Sequence, residues 1–262
     1  MPDAGNVTSD DNTNSGNTDS TEQQNESNQP AQNQPQQTSW QKAKTAMSKY
    51  ASKGGSAKGK SGAVSYYVKG YGGARNAAKT AKAGIRTTIN VGNFFGGVSN
   101  RGISQVLKEY NIQTDGRSPK QILNDIVNVL APNPDTNDDS VARKALISTM
   151  SVIYEKFDDE KQDISLLDSL DSNISEKIVS KYIETFIYER LINDVGSRIE
   201  TKAENSSQVL KIEKELKEYI ESKVSTTLKD KPLSSINTNS NNVYSFVEEL
   251  YHQCYKVLED QL

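Results

Sequence analysis

Residues 65–102 read SYYVKGYGGARNAAKTAKAGIRTTINVGNFFGGVSNRG, and the way this stretch folds governs how the rest of the chain can pack. Extended back to Gly62, it holds nine of the chain's 16 glycines, four aromatic side chains besides Tyr71, and no Asp or Glu. Such a segment suits close backbone approach and contact with something negative. Arg75, Lys79, Lys82 and Arg86 fall at i, i+4, i+7 and i+11, so one helix would align four cations in a stripe. Ala74, Ala77, Ala78, Ala81 and Ile85 fall behind that stripe, and with Gly84 they form a face that a neighbour can approach closely. Gly70, Gly72 and Gly73 interrupt any helix begun at Val64, since each costs about 1 kcal/mol against Ala. Phe94-Phe95-Gly96-Gly97 reads as an apolar plug followed by a turn.

Charge is laid out unevenly along the chain. The net value of −3 averages a first block of 39 residues with six acids and no Lys or Arg, a middle block, and an acidic remainder. Residues 40–120 carry fifteen bases against Glu109 and Asp115, and residues 121–262 carry sixteen bases against twenty-six acids. A basic block in this position meets an acidic partner: phosphate, the protein's own N-terminal tail, or its own C-terminal half.

Residues 1–39 contain no Phe, Trp, Tyr, Ile or Leu, and Val7 is their one branched apolar residue. A segment of this kind cannot offset the ordering cost of roughly 1–2 kcal/mol per residue and is expected to be disordered. It reads either as a solubilising tail or as a segment that a partner grasps. From Trp40 to Lys60 the chain turns Lys-rich, as a linker would. Within it, Gly54 to Ser61 matches the phosphate-cradling pattern G-x-x-x-x-G-K-S. That loop works only between a buried strand and a helix, and residues 46–52 are no strand, so the match is discounted.

Beyond Ile103 the apolar spacing is helical throughout. Ser104 to Tyr110 forms a short helix. Ser118-Pro119 supplies an N-cap and a first-turn proline for a helix to Leu130, with Ile122, Leu123, Ile126, Val127 and Leu130 inward. Asp138 and Asp139 open the next, with Ala142, Leu146, Met150, Ile153 and Phe157 on one face. The longest helix is expected from about Ser175 to Ile199, burying Ile178, Tyr182, Phe186, Leu191, Val195 and Ile199. Ser206 caps another, Lys229 to Asn242 is a polar loop, and the last helix carries Val243, Phe246, Val247, Leu250, Cys254, Val257 and Leu258 inward. Strand-like alternation is nowhere sustained. The expected fold is all-α, a body of about six to eight helices behind a long disordered N-terminal tail. The expected organisation is a polar tail and Lys-rich linker over 1–60, a Gly-rich basic helical segment over 61–115, and an acidic amphipathic helical domain over 116–262. Residues 61–262 are expected to fold as one unit.

Little in the chain suggests chemistry. His252 is the only histidine and Cys254 the only cysteine, and two residues apart on a helix they do not face each other. Glu248 is the expected neighbour of His252, and Cys254 reads as a small core side chain. The carboxylates fall in solvated charge-pair patterns, and no metal-ligand spacing occurs, so no enzyme activity and no cofactor are expected. With no apolar run near 18 residues, no spanning helix is expected, and the cytoplasm is the expected location. Nucleic-acid binding has a better claim, because Tyr66, Tyr67 and Tyr71 interleave with Lys69 and Arg75 as a stacking platform with cations. The candidate contact set is Tyr66, Tyr67, Lys69, Arg75, Lys79, Lys82 and Arg86.

Three segments carry a resemblance: YVKGYGGARNAA at Tyr67 to Ala78, SPKQILNDIVNVL at Ser118 to Leu130, and FIYERLINDVGSRIE at Phe186 to Glu200 with EKELKEYIES after it. In order and spacing, over roughly residues 60–228, the chain resembles the QatB family of bacterial Qat anti-phage defence systems. The resemblance implies partners that the residues alone do not: a QueC-like enzyme of the QatC type, an ATPase of the QatA type and a TatD-like nuclease of the QatD type. It also implies that a flexible N-terminus beginning Met-Gly is an acceptor for the QueC-like enzyme. This chain departs from that pattern by beginning Met-Pro-Asp-Ala-Gly, so either the acceptor is Gly5 after trimming or the acceptor role does not carry over to this chain.

Overall fold

The computed structural model describes residues 34–155, 164–169, 171–237 and 242–260, and residues 33–262 cluster as one compact unit. The described residues hold ten α-helices and two 3-10 turns: α1 Gln34–Ser52, α2 Ala57–Gly70, α3 Ala74–Thr80, α4 Lys82–Arg101, α5 Ile103–Glu109, α6 Pro119–Leu130, α7 Asn137–Glu155, a turn at Ile164–Ser169, α8 Ser172–Lys202, α9 Ser206–Leu228, a turn at Leu233–Asn237, and α10 Val243–Glu259. No strand occurs among them, so the all-α reading holds. Among the described residues no helix is long and apolar enough to cross a membrane.

The helix count exceeds expectation for two reasons. The Lys-rich stretch read as a linker is largely helical: α1 inserts Ala43, Met47, Tyr50 and Ala51 into the core and packs on α2 and α8. Its apolar residues repeat every three or four positions, a signal hidden under six lysines and serines. The Gly-rich stretch is also cut into four helices. Gly72 and Gly73 take positive φ (86° and 98°) between α2 and α3, and Gly102 does so (81°) between α4 and α5. Residues with a Cβ rarely adopt such backbone, so these glycines permit the turns. The Phe94–Gly97 plug is a correction, for no turn follows it: α4 runs on through Gly96 and Gly97 to Arg101, with both rings fully buried.

Because 62–102 contains no acid, its helix starts are capped from far along the chain. A carboxylate oxygen of Glu259 accepts from the Ala74 N–H (3.0 Å) at the start of α3. Asp138 accepts from the Ala83 N–H (2.8 Å) at the start of α4, and Asp168 from the Ile103 N–H (2.5 Å) at the start of α5. Each negative group sits where a helix leaves N–H groups unpaired and its dipole is positive. The basic segment therefore finds part of its acidic partner in the C-terminal half of the same chain. By contrast, α6 caps itself: Ser118 and Gln121 form a reciprocal capping box, with Pro119 in the first turn.

The core is continuous from α1 to α10. Helix α8 runs through it, and its Tyr182, Phe186, Leu191, Val195 and Ile199 are all fully buried, as their spacing predicts, while Ile178, expected with them, is only partly buried. Each such side chain contributes about 1.5–3 kcal/mol by leaving water. Gly84 on α4 makes room for one of them: a Cβ there would lie 2.5 Å from Cε1 of Phe186. Gly92 admits Ile236 in the same way. Ile236 and Leu233 belong to the stretch expected to be a polar loop, which instead forms a 3-10 turn and buries both side chains.

Candidate functional site

The densest group of polar side chains in the interior surrounds Arg190. This residue is 6% exposed, on the same face of α8 as Asp194 one turn later. Its Nη1 donates to the Ala77 carbonyl (2.9 Å) and to the Tyr255 hydroxyl (3.2 Å), and its Nη2 donates to Thr80 Oγ1 (3.0 Å). The guanidinium lies 4.3 Å from the centre of the Tyr71 ring, and its Nε stands 3.9 Å from Asp138 Oδ1. Asp138 is the same residue that caps α4. Four elements distant in sequence thus converge on one cation.

Asp194 organises the outer side of the cluster. Both Tyr67 (3.1 Å) and Tyr71 (2.5 Å) donate their hydroxyls to its Oδ2. Trp40 of α1 packs edge-on against both rings, with centroids 5.9 and 5.0 Å away. Gly70 lets that indole approach, since a Cβ there would sit 3.1 Å from it. Burial, reinforced by the Asp194 carboxylate, pushes the Tyr67 and Tyr71 phenols well above their ordinary range, which keeps them neutral donors. A buried cation with its neighbours fully engaged holds elements in register, because losing any one partner strands a charge.

The residues expected to contact nucleic acid are placed unevenly by this arrangement. Tyr67 is 1% exposed and its hydroxyl is engaged, so it cannot stack on a base, which corrects that part of the expected set. Tyr66 and Lys69 are half-buried, with the Lys69 ammonium 5.9 Å from the Tyr66 ring. Arg75, Lys79, Lys82 and Arg86 are exposed, but they do not share one helix. The chain breaks at Ala81 (φ −82°, ψ 41°), leaving Arg75 and Lys79 on α3 and Lys82 and Arg86 on α4. Arg86 is already paired with Asp139 at 2.6 Å. The alanine face behind the stripe is buried as expected, with Ala74, Ala77, Ala78, Ala81 and Ile85 all at or below 4% exposure. Gly5 lies outside the described residues, as does Phe157, expected on the inward face of α7.

Other candidates resolve into packing. His252 faces Glu249 (3.3 Å), three residues earlier on α10, and not Glu248, the expected neighbour. Cys254 is fully buried and burial pushes its thiol up, away from reactivity. The Gly54–Ser61 pattern follows α1 and runs into the first residues of α2, with no strand before it: Ser56 Oγ accepts from the Gly59 N–H as the N-cap of α2, and the Lys60 ammonium lies over the Tyr219 ring at 5.8 Å. No group of three or more His, Cys, Asp or Glu side chains that could hold a metal occurs among the described residues.

Arg190, Asp194 and Tyr255 were not legible as a group. Their spacing within α8 and α10 marks each as one more helical residue, and the partners that tie them together lie 52 to 127 positions away. The available hint was weaker: Tyr251 and Tyr255 repeat at i, i+4 beside the apolar stripe of α10, and both are fully buried.

Fold and cluster together define an all-α protein whose Gly-rich segment is clasped by a buried arginine and by carboxylates from its acidic half. The chain belongs to the QatB family: the family model described as Qat anti-phage system associated protein QatB matches residues 72–258. It is accordingly a component of an anti-phage defence system. The match starts inside the α2–α3 turn and spans every helix from α3 onward, including Arg190, Asp194 and Tyr255. No curated protein and no solved structure matches the chain.

Proposed function

We propose that the chain is a non-catalytic subunit of the defence complex, which binds a QueC-like partner enzyme through its helical body and presents its N-terminal segment to that enzyme as substrate or ligand. The observation that carries this reading is how the polar groups of the matched region are used. Arg190, Asp194, Asp138 and Asp168 all serve to clasp the Gly-rich segment, as does Glu259 just beyond the matched region. The N-terminal segment differs in kind: it is polar, acidic and free of bulky apolar side chains, as a segment destined for another protein's active site can be. Gly5 is the acceptor on this reading, after removal of the four residues before it. An ATPase of the QatA type and a TatD-like nuclease of the QatD type would complete the assembly. The cytoplasm is where such a complex would meet phage nucleic acid.

The test is the intact mass of the protein after co-expression with its partner genes, with and without the QueC-like one. A chain shortened to Gly5, or made heavier by a small heterocycle, only when that enzyme is present is the expected result. An unchanged mass in both would overturn the substrate role.

A second reading, a nucleic-acid-binding adaptor, is favoured by one observation: Arg75, Lys79 and Lys82 are exposed beside half-buried Tyr66 and Lys69. Phosphate contacts weaken steeply with salt. Oligonucleotide affinity that is insensitive to ionic strength, or unchanged when Arg75, Lys79 and Lys82 become Glu, would remove this reading.

A further inference from the structure

Helices α1 and α8 frame an open groove of about 560 Å³, and every side chain that lines it is a hydrogen-bond donor. Lys44 and Lys49 stand on the α1 wall, and Arg198 and Lys202 on the α8 wall. Among these cations lie the hydroxyls of Thr45, Ser48 and Ser52 and the amide of Gln41. The α1 residues fall at i, i+3, i+4, i+7, i+8 and i+11, so they share the outward face that is left when Ala43, Met47 and Tyr50 turn inward. No Asp or Glu lines the groove, and none of the four exposed cations is in an ion pair among the described residues. Other exposed cations, such as Lys108 and Lys256, are unpaired as well. What distinguishes the groove is that four share one concave surface with no acid on it. Like charges held together in this way repel one another and draw an anionic ligand.

We infer that this groove binds the sugar–phosphate backbone of duplex nucleic acid, without regard to base sequence. Three observations select that ligand. The donor set comes first: Lys and Arg interleaved with hydroxyls and an amide are the side chains that contact phosphate oxygens. The spacing also fits a chain of phosphates. Lys44 and Lys49 lie about 7.5 Å apart along α1, and Arg198 and Lys202 about 6 Å apart along α8. Each pair spans about two phosphate steps of one strand, at about 3.4 Å a step. Finally, the basic track continues, because Ser52 is shared with a second hollow of about 450 Å³ that adds Lys53 and Lys211 against the one acid Glu204. A lone phosphate would leave most of that length unused. No aromatic side chain lines either hollow, so unstacked bases find no platform, and a duplex with its phosphates outward fits better than a single strand. An acidic polypeptide carries its carboxylates on flexible side chains, with no fixed interval for paired cations to match.

The site shares no residue with the stripe at 75–86 and requires no QueC-like partner. The test is fluorescence anisotropy of the full-length protein with a labelled duplex of about 20 base pairs, titrated between about 50 and 200 mM salt. Four phosphate contacts predict a slope of about −3.6 or steeper in log affinity against log salt, a loss of about 150-fold or more over that range. K44Q/K49Q and R198Q/K202Q each remove two contacts and should each flatten the slope by about 1.8, and the quadruple variant by about 3.6. All four side chains are exposed, so thermal melts like the parent's are expected and show that the variants fold. The parent alone already bears on the proposal: no binding at about 50 mM salt, or a slope shallower than about −2, would overturn it. Tighter binding of a single strand than of the duplex would also overturn it. So would a slope that the quadruple variant keeps and R75Q/K79Q/K82Q loses, which would return the binding to the stripe. Displacement of the duplex by polyglutamate at equal charge concentration would overturn it too, and make the groove a site for an acidic protein.

Discussion

Helix α9 buries what its own periodicity marks out, whereas α2 to α5 bury what distant parts of the chain make burial possible for. In α9 the residues Ile212, Leu216, Ile220, Val224 and Leu228 repeat every four positions and are all inward. Their charged neighbours pair along the helix surface, as Lys214 does with Glu218 at 3.8 Å. In α2 to α5 the interior includes Tyr67, the Ala77 carbonyl and Thr88, which need partners supplied by α8 and α10. The first kind of packing is written locally and tolerates change of shape. The second depends on directed bonds between elements that meet only in the finished fold, so single substitutions should distinguish the two.

The largest effect is expected at Arg190. Arg190→Ala leaves the Ala77 carbonyl, Thr80 and the Tyr255 hydroxyl without their donor and Asp138 without its cation, a loss of about 3–5 kcal/mol. Truncating an apolar side chain, as in Leu216→Ala, costs a similar amount, about 2–5 kcal/mol. The contrast lies in the conservative changes. Leu216→Met keeps volume and should cost less than about 1.5 kcal/mol. Arg190→Lys keeps the charge but not the planar fork that reaches three acceptors and lies against Tyr71, so it should recover less than half of the loss. Urea denaturation followed by circular dichroism measures all four, and an Arg190→Lys protein as stable as the parent would erase the distinction.

A smaller effect is expected where glycine admits a large side chain. Gly84→Ala drives a methyl into the fully buried Phe186 ring, and Gly92→Ala into Ile236. Overpacking of this kind costs about 1–3 kcal/mol. Ile236→Ala removes the methyl that Gly92 accommodates, so the double variant Gly92→Ala/Ile236→Ala should be less destabilised than the two single changes summed, by about 0.5–3 kcal/mol. Additive costs would mean that the close approach is not what glycine provides at that position.

The amphipathic half of the body was legible nearly to the residue, although α9 is capped by Asn205, whose side chain accepts from the Gln208 N–H, and not by Ser206. Ser118-Pro119 as the start of α6, and the inward faces of α8 and α9, follow from capping chemistry and a 3.6-residue period, both of which act within a few positions. The Gly-rich half was legible only in part. Its alanine face and the break after Gly70 follow from local propensity, and the structure has both. The break at Ala81 does not, because alanine favours continuing the helix, and the interruption coincides with Asp138 capping the next one from 55 residues away. The same holds for Tyr67, read as a surface platform because its acceptor Asp194 comes 127 positions later. Cations mark surface by default, so Arg190 within FIYERLINDVG gives no sign of being buried.

The smallest effect offers the finest comparison, between a local and a distant cap. Ser118→Ala removes the capping box of α6 and should cost about 0.5–2 kcal/mol. Asp168→Ala removes the acceptor for the Ile103 N–H and should cost a similar amount, since one helix-start N–H is left unpaired in each. Their consequences for local opening should differ. Ser118 and Gln121 belong to one turn, so their loss frays α6 alone, and amide exchange should quicken over residues 120–122. Asp168 joins the turn at Ile164–Ser169 to α5, so its loss loosens two elements at once. Faster exchange is expected at residues 103–106 and again at 164–169. Faster exchange confined to α5 would show that the distant carboxylates act as caps and nothing more, leaving Arg190 as the tie between the two halves.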